Sequence, residues 1–303
     1  MTGDSMHRRS FVKLAGAAAA TVMLAPNEVM SAMRDDARPI RKAVKYGMVN
    51  AEGSMAERFA LLKRLGYDGV ELSSPNGFDR DEVVRARDAA DLPIHGVVNS
   101  THWSKPFSHP DPNVRAEGRR DFETALHDAK AYGATSVLLV PAVVNQGVAY
   151  DDAYERSQAE IRKVLPLAEE LKIHILIENV WNNFLLSPME AARYIDEFES
   201  EWIGWYFDVG NIVNYGWPEQ WIKILGSRII KLDIKEFSRG KRNDEGLWKG
   251  FGVKLLEGDC GWPAVMKALD EIGYEGWATA ELGGGDEAYL RDVAERMDRI
   301  IAS

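Results

Sequence analysis

The sequence predicts an α/β fold, a single closed (β/α)8 TIM barrel, on three observations. Short apolar runs alternate with amphipathic helical periods along the chain. Four of the later runs deliver one acid each to their C-terminal ends: Glu178, Asp208, Asp233 and Glu281. The length of 303 residues suits one barrel of about 250 residues with a short extension. An open doubly wound sheet is the other architecture that such alternation allows. No Pro/Gly/Ser-rich linker divides the chain into two domains.

Residues 1–33 read as an address and leader. The paired Arg8 and Arg9 lie in Arg8-Arg9-Ser10-Phe11-Val12-Lys13, ahead of an alanine-rich apolar run that stops at Pro26. The run is too short to span a bilayer and has the layout of a signal peptide, and the paired arginines resemble the bacterial twin-arginine export signal. The expectation is therefore a protein handed to the twin-arginine machinery, delivered to the periplasm, with no stable membrane anchor after processing. Residues 34–43 read as a linker and 44–303 as the barrel.

Within 44–303, residues 45–49 predict the first strand and 55–65 a helix closed by Gly66. Residues 68–72 and 79–90 follow as strand and helix, then 93–99 as the third strand and 113–132 as its helix. The pattern continues with a strand over 136–140 and a helix over 152–171. The acid-bearing strands are expected over 175–181, 205–210, 229–236 and 277–282, with helices over 188–197, 218–225, 263–272 and 287–301. Such runs, connected by right-handed crossovers, close into a barrel of parallel strands. Residues 100–113 and 237–261 are longer than ordinary connections, and both leave C-terminal strand ends, where barrel enzymes build their sites. They are expected to act as lids or substrate contacts.

Composition narrows the function. At 46% hydrophobic and 28% charged, the chain is ordinary for a globular protein. Its net charge of −10 argues against nucleic acid or an anionic membrane as partner. Cys260 is the only cysteine, so an internal disulfide is excluded and a metal site must use oxygen and nitrogen ligands. Acids gathered at one end of successive buried strands repel one another unless a cation sits among them. A divalent metal held by oxygen ligands follows, with Mn²⁺ or Mg²⁺ favoured over Zn²⁺.

The motifs Ile177-Glu178-Asn179, Phe207-Asp208-Val209-Gly210-Asn211, Asp233-Ile234-Lys235-Glu236, Glu257-Gly258-Asp259 and Ala280-Glu281-Leu282 together resemble the sugar isomerase/epimerase superfamily with the xylose-isomerase-like TIM barrel. That superfamily includes tagatose and psicose 3-epimerases, hydroxypyruvate isomerase and inosose dehydratase, with endonuclease IV a distant relative. The resemblance implies one metal held by Glu178, Asp208, Asp233 and Glu281, with Glu178 and Glu281 also the catalytic acid and base. Two positions depart from the pattern: Asp233 stands where the family has a histidine, and Asn211 where it has a second one. Asp233 could instead orient a ligand or pair with Lys235. Arg239 matches an arginine that these epimerases place near substrate. His95, Trp103, Trp181, Glu71 and Asn211 are further expected substrate contacts, with Phe184 and Trp248 in loops at the same face; His174 is expected to be structural.

The implied activity is that of a metal-dependent isomerase or epimerase acting on an unphosphorylated small-molecule sugar or keto-sugar through an enediolate. A lyase acting on 3-oxo glycosides by β-elimination shares the first step. A non-catalytic sugar-binding envelope protein is the reading from another class, opposed by the cost of unused buried carboxylates. Endonuclease chemistry lacks its histidines and a basic groove. Neither the substrate nor the oligomeric state is specified, and a homo-oligomer is compatible with the sequence.

Overall fold

The computed structural model describes residues 38–303; the expected twin-arginine segment with Arg8 and Arg9 lies outside the described residues. Eight parallel strands close into a barrel in sequential order. They are β1 (Ile40–Lys45), β2 (Gly69–Ser74), β3 (Ile94–Asn99), β4 (Ser136–Leu139), β5 (His174–Glu178), β6 (Ile203–Asp208), β7 (Ile229–Ile234) and β8 (Gly276–Ala280). The helices are α1 (Met55–Arg64), α2 (Arg80–Ala90), α3 (Pro112–Tyr132), α4 (Tyr150–Leu171), α5 (Pro188–Asp196), α6 (Val209–Val213), α7 (Pro218–Leu225), α8 (Arg239–Glu245), α9 (Trp262–Glu271) and α10 (Glu287–Ile301). No helix among the described residues is long and apolar enough to cross a membrane.

Side-chain alternation along the strands explains where the acids go. In β5, Ile175 and Ile177 join the large apolar core, whereas Leu176 packs in a separate small cluster with Tyr206 and Leu138. In β6, Trp205 and Phe207 face that same large core, and in β7 Leu232 and Ile234 do so. A period of two therefore sends Glu178, Asp208 and Asp233 to the barrel interior, and Glu281 follows by parity from Ala278 and Ala280. The register places Asp208 beside Asp233, and Asp233 beside Thr279. Helix ends carry the caps the sequence offers: Ser54 and Glu57 form a capping box, and Asp79, Asp111, Ser187 and Asp286 each accept from a first-turn N–H.

The first strand differs from expectation. It spans Ile40–Lys45, and the expected strand at 45–49 is a 3-10 turn, Tyr46–Met48, that follows it. The boundary expected at Val44 falls inside this strand. Arg41 and Lys42 disguised it as a linker, yet both charges are met in the fold. The Arg41 guanidinium lies 4.1 Å from the centroid of the Trp277 ring, and the Lys42 ammonium is 2.6 Å from Asp298. The same shift turns Lys45 from the first residue of a strand into the last, at the mouth of the barrel.

Residues 40–44 pair with 276–280 and so close the ring. Deleting 40–43 should abolish the cooperative thermal transition of the full chain followed by circular dichroism, because β2 and β8 become open edges. Retention of a sharp transition at an unchanged temperature would show that closure through β1 is not required.

Candidate active site

Glu178, Asp208, Asp233 and Glu281 each offer a carboxylate oxygen, and these four oxygens lie within 4.8 Å of one another. Glu178, Asp208 and Asp233 are buried, while Glu281 is partly open to the cavity. Two lysines stand among them. Lys45 is 3.0 Å from Glu71 and 3.0 Å from Asp233; Lys235 is 2.8 Å from Asp208 and 2.9 Å from Glu281. Asp233 thus pairs with Lys45, not with Lys235. Five carboxylates face two ammonium groups here, so negative charge is in excess.

The electrostatics divide the acids. Burial, then the Glu281 charge, holds the Glu178 carboxyl well above the ordinary range. Burial does the same to Asp233, against the pull of Lys45 and with the charges of Glu281 and Glu178 adding to it, and it raises Asp208 as well. Burial also disfavours the Glu281 carboxylate, but Lys45 and Lys235 outweigh it and bring that carboxyl down to about 2.

The donor set fits a divalent cation. Asp233 Oδ1 is buried with no partner, a costly state for an acceptor, and Asp208 Oδ2, Asp233 Oδ2 and Glu281 Oε2 are buried atoms met only by the two lysine ammonium groups. All four donors are hard oxygens, the set suited to Mg²⁺ or Mn²⁺.

Neighbouring residues fix these acids. Asp208 Oδ1 accepts from the Asn211 N–H at 2.9 Å, which orients Oδ2 toward the cluster. Asn179 ties the ends of β5 and β6 together, its Nδ2 donating to Asp208 O at 2.7 Å and its Oδ1 accepting from Asp208 N at 3.0 Å. Asn211 returns a bond from its Nδ2 to Asn179 O. A Cβ on Gly210 would come within 2.8 Å of the Lys235 carbonyl oxygen, so only glycine lets α6 pass so close to β7. Glu236, buried at the end of β7, gathers the long loop behind it. Its carboxylate accepts from Leu256 N at 2.7 Å, Cys260 N at 3.2 Å and Trp262 Nε1 at 2.8 Å. A Cβ on Gly258 would meet Glu236 Oε1 at 2.6 Å, which accounts for the glycine of Glu257-Gly258-Asp259.

The acids open into a cavity of about 470 Å³ whose wall includes Lys45, His102, Trp103, Trp181, Asn211 and Lys235. Both long connections contribute to it. Residues 100–113 bring His102 and Trp103; the loop after β7 folds into α8 and a 3-10 turn, Leu247–Phe251, and presents Trp248 and Phe251. Trp181 donates from Nε1 to Asn211 O at 2.8 Å, and its ring centroid lies 4.8 Å from that of Trp248. His102 accepts from Val140 N, and burial drives its pKa down to about 3, so it is neutral at physiological pH.

Other expected contacts lie elsewhere. His95 is buried below the acids, stacked on Trp277 with its Nε2 3.1 Å from Thr279 Oγ1. Lys231 donates to the His95 carbonyl and to Ser136 Oγ, completing a polar layer beneath the site. Glu71 reaches the site only through Lys45. Arg239 turns away, donating to the carbonyls of Val213 and Gly216 at 3.0 and 2.8 Å, where they satisfy its guanidinium. Phe184 packs among Tyr150, Tyr154 and Tyr194. His174 stays at the opposite end of β5, against Trp202. The residues the sequence did not mark as site residues are Lys45, hidden by the misplaced first strand, and Lys235 and Phe251. Lys235 shares a strand face with Asp233 by the period of two, the one signal that pointed inward.

Cation binding favours the ionised form of Asp233, whose carboxyl burial holds well above its ordinary range. Affinity should therefore fall as pH drops below that raised value, with a proton released on binding. Titrating Mn²⁺ into metal-free protein at about pH 6, by calorimetry in two buffers of different ionisation heat, should give different apparent enthalpies. Identical enthalpies would contradict a protonated carboxyl at the binding point.

Comparison with known proteins agrees with this arrangement of strands. L-ribulose-5-phosphate 3-epimerase UlaE of Escherichia coli strain K12 is 24% identical over 261 residues, covering 80% of this chain and 89% of UlaE. The solved 3-keto-D-glucoside 4-epimerase YcjR of E. coli superposes with a TM-score of 0.73 at 14% identity, over 87% of this chain and 100% of YcjR. The IolI protein, solved with a bound zinc atom, gives a TM-score of 0.71 at 15% identity over 87% of this chain and 98% of IolI. At such identities the two structures share the fold. The sequence model described as xylose isomerase-like TIM barrel matches residues 59–300, and the chain belongs to that family.

Proposed function

We propose that the protein is a divalent-metal-dependent isomerase or epimerase of an unphosphorylated sugar or keto-sugar. The observation that carries this reading is the convergence of Glu178, Asp208, Asp233 and Glu281 at one point, with Glu178 and Glu281 on the wall of a sugar-sized cavity. Those four residues would hold the cation, which supplies positive charge against an enediolate. That UlaE and YcjR are sugar epimerases supports the class of reaction.

Glu178 and Glu281 stand on strands three places apart in the ring, and both line the cavity. Their environments push them in opposite directions, Glu178 toward the protonated form and Glu281 toward the carboxylate. Such a split suits one acid and one base. Glu281 takes the proton from the carbon beside the substrate carbonyl, and the C–H electron pair moves into that carbonyl to give the enediolate. Glu178 returns a proton to the same carbon from its other side as the carbonyl re-forms, giving the epimer; or, once the hydroxyl proton has passed to the former carbonyl oxygen, to the former carbonyl carbon as the neighbouring oxygen becomes the carbonyl, giving the isomer. Lys45 and Lys235 keep Glu281 ionised before the transfer. Asn211, fixed by its bond to Asn179, presents an amide at the cavity wall for a substrate hydroxyl.

A second reading draws on the fold shared with YcjR. In a 3-oxo glycoside the same enediolate can expel the group on the β-carbon, which makes the protein a lyase. Both readings require the first proton transfer.

Mn²⁺-loaded protein incubated in D₂O with D-fructose, D-tagatose, L-ribulose and methyl 3-oxo-glucoside should place deuterium beside the carbonyl of a competent substrate, seen by NMR. Free methanol in the last incubation would select the lyase reading. Glu281→Gln should slow turnover by about 10²–10⁴-fold, with metal content measured on the same sample because Glu281 is also a proposed ligand. A metal-replete variant with full turnover would remove Glu281 from the proton path. No reaction with any of these sugars, with metal bound, would count against the whole reading.

A further inference from the structure

The cavity has two unlike halves. Its floor is charged, with the acids and the two lysines, whereas its rim is aromatic. Trp248 is 69% exposed and Trp103 51% exposed, although both line the cavity. Trp181 and Phe251 lie behind Trp248, with ring centroids 4.8 and 6.4 Å from it. Leaving large apolar rings in water forgoes the favourable burial that folding could give them, and a contiguous apolar patch at a cavity mouth marks a binding surface. The rings are held in place: Trp181 by its bond to Asn211 O, and the turn bearing Trp248 by the loop that Glu236 gathers.

Three of the cations near this rim have other partners. Arg239 bonds the carbonyls of Val213 and Gly216, Arg242 bonds Asn214, and Lys241 bonds the Gly252 carbonyl. Among the described residues, the cations lining the cavity are Lys45 and Lys235, each set between two carboxylates. His102, also on the wall, is neutral. A phosphate or other anionic group within the cavity would find its cations, Lys45 and Lys235, already engaged by carboxylates, and its desolvation would go uncompensated. An apolar or aromatic group would instead be sandwiched by rings of its own kind.

We infer that the keto-sugar of the proposed reaction is carried as a glycoside: its oxidised ring, which keeps a carbonyl for the enediolate, reaches the acid floor, and its apolar, preferably aromatic, aglycone is clasped at the rim between Trp103 and Trp248. This rests on the reading of the floor as a sugar site and adds the substrate's second half. A free hexose would leave the rim unused.

The test uses unreactive ligands, so it reads the rim independently of catalysis. Methyl and phenyl glycosides of D-glucose and D-galactose, in both anomers, are titrated into the Mn²⁺-loaded full chain and followed by tryptophan fluorescence and calorimetry. For the anomer that binds, phenyl should bind at least about tenfold tighter than methyl, from the apolar area the ring buries. That ratio should fall to within about twofold of unity in Trp248→Ala, and should fall in Trp103→Ala, both exposed positions where truncation removes no core packing. A phenyl-to-methyl ratio near one in the unaltered protein overturns the inference, as does a ratio that survives both substitutions, or a failure of every glycoside to bind. Deuterium exchange into a keto-sugar reports the proposed reaction separately: exchange without aryl preference leaves the reaction standing and removes the aglycone site, and aryl preference without exchange does the reverse.

Discussion

Four carboxylates whose oxygens converge within 4.8 Å repel one another, and the rest of this structure is arranged around that repulsion. Buried and aimed at a common point, they need positive charge between them. Lys45 and Lys235 supply part of it and hold Glu281 ionised, yet Glu178 and Asp233 stay well above the ordinary carboxylate range. An uncompensated cluster of this kind opposes folding. Its placement at the C-terminal ends of β5 to β8, where barrel enzymes work, ties the cost to chemistry and not to stability.

The fold delivers the acids through strand parity and then locks them. Apolar residues on one face of β5, β6 and β7 fill the layer beneath the helices, which leaves the alternate positions to the interior. Asn179 and Asn211 couple the ends of β5 and β6, and Glu236 organises the loop that leaves β7. The rigid floor and the aromatic rim are consequently joined at one strand end. Lys235, facing the acids, and Glu236, facing the loop, are neighbours in sequence with opposite orientations. Their adjacency explains how a loop well over a dozen residues long presents Trp248 and Phe251 at a defined place without a sheet beneath it.

The barrel and its four acids were legible in the sequence because both are periodic: helices and strands alternate, and each acid ends an apolar run. What was not legible involved charge inside the barrel. Arg41 and Lys42 made β1 look like a linker, since nothing local reveals that Trp277 and Asp298 wait to receive them. Lys45 was lost with that strand. Arg239 shows the converse. Its spacing from Asp233 suggested a substrate contact, but the carbonyls of Val213 and Gly216, distant in sequence, capture it. His95 likewise sits on a strand that reaches the mouth, but it is the second residue of β3, at the N-terminal end, where its ring stacks below the acids on Trp277. In each case the deciding partner comes from a different strand or loop, and no local pattern encodes it.

The central claim is that the four acids form one metal centre and that the two lysines hold its place in charge only in part. A crystal structure of the Mn²⁺-soaked protein, with anomalous data collected at the manganese edge, tests it most directly. The account predicts a single anomalous peak bound by oxygens of Glu178, Asp208, Asp233 and Glu281, with the ammonium groups of Lys45 and Lys235 drawn back from Asp233 and Asp208. No peak at this point in crystals soaked well above neutral pH, with Lys235 still bridging Asp208 and Glu281, would contradict it.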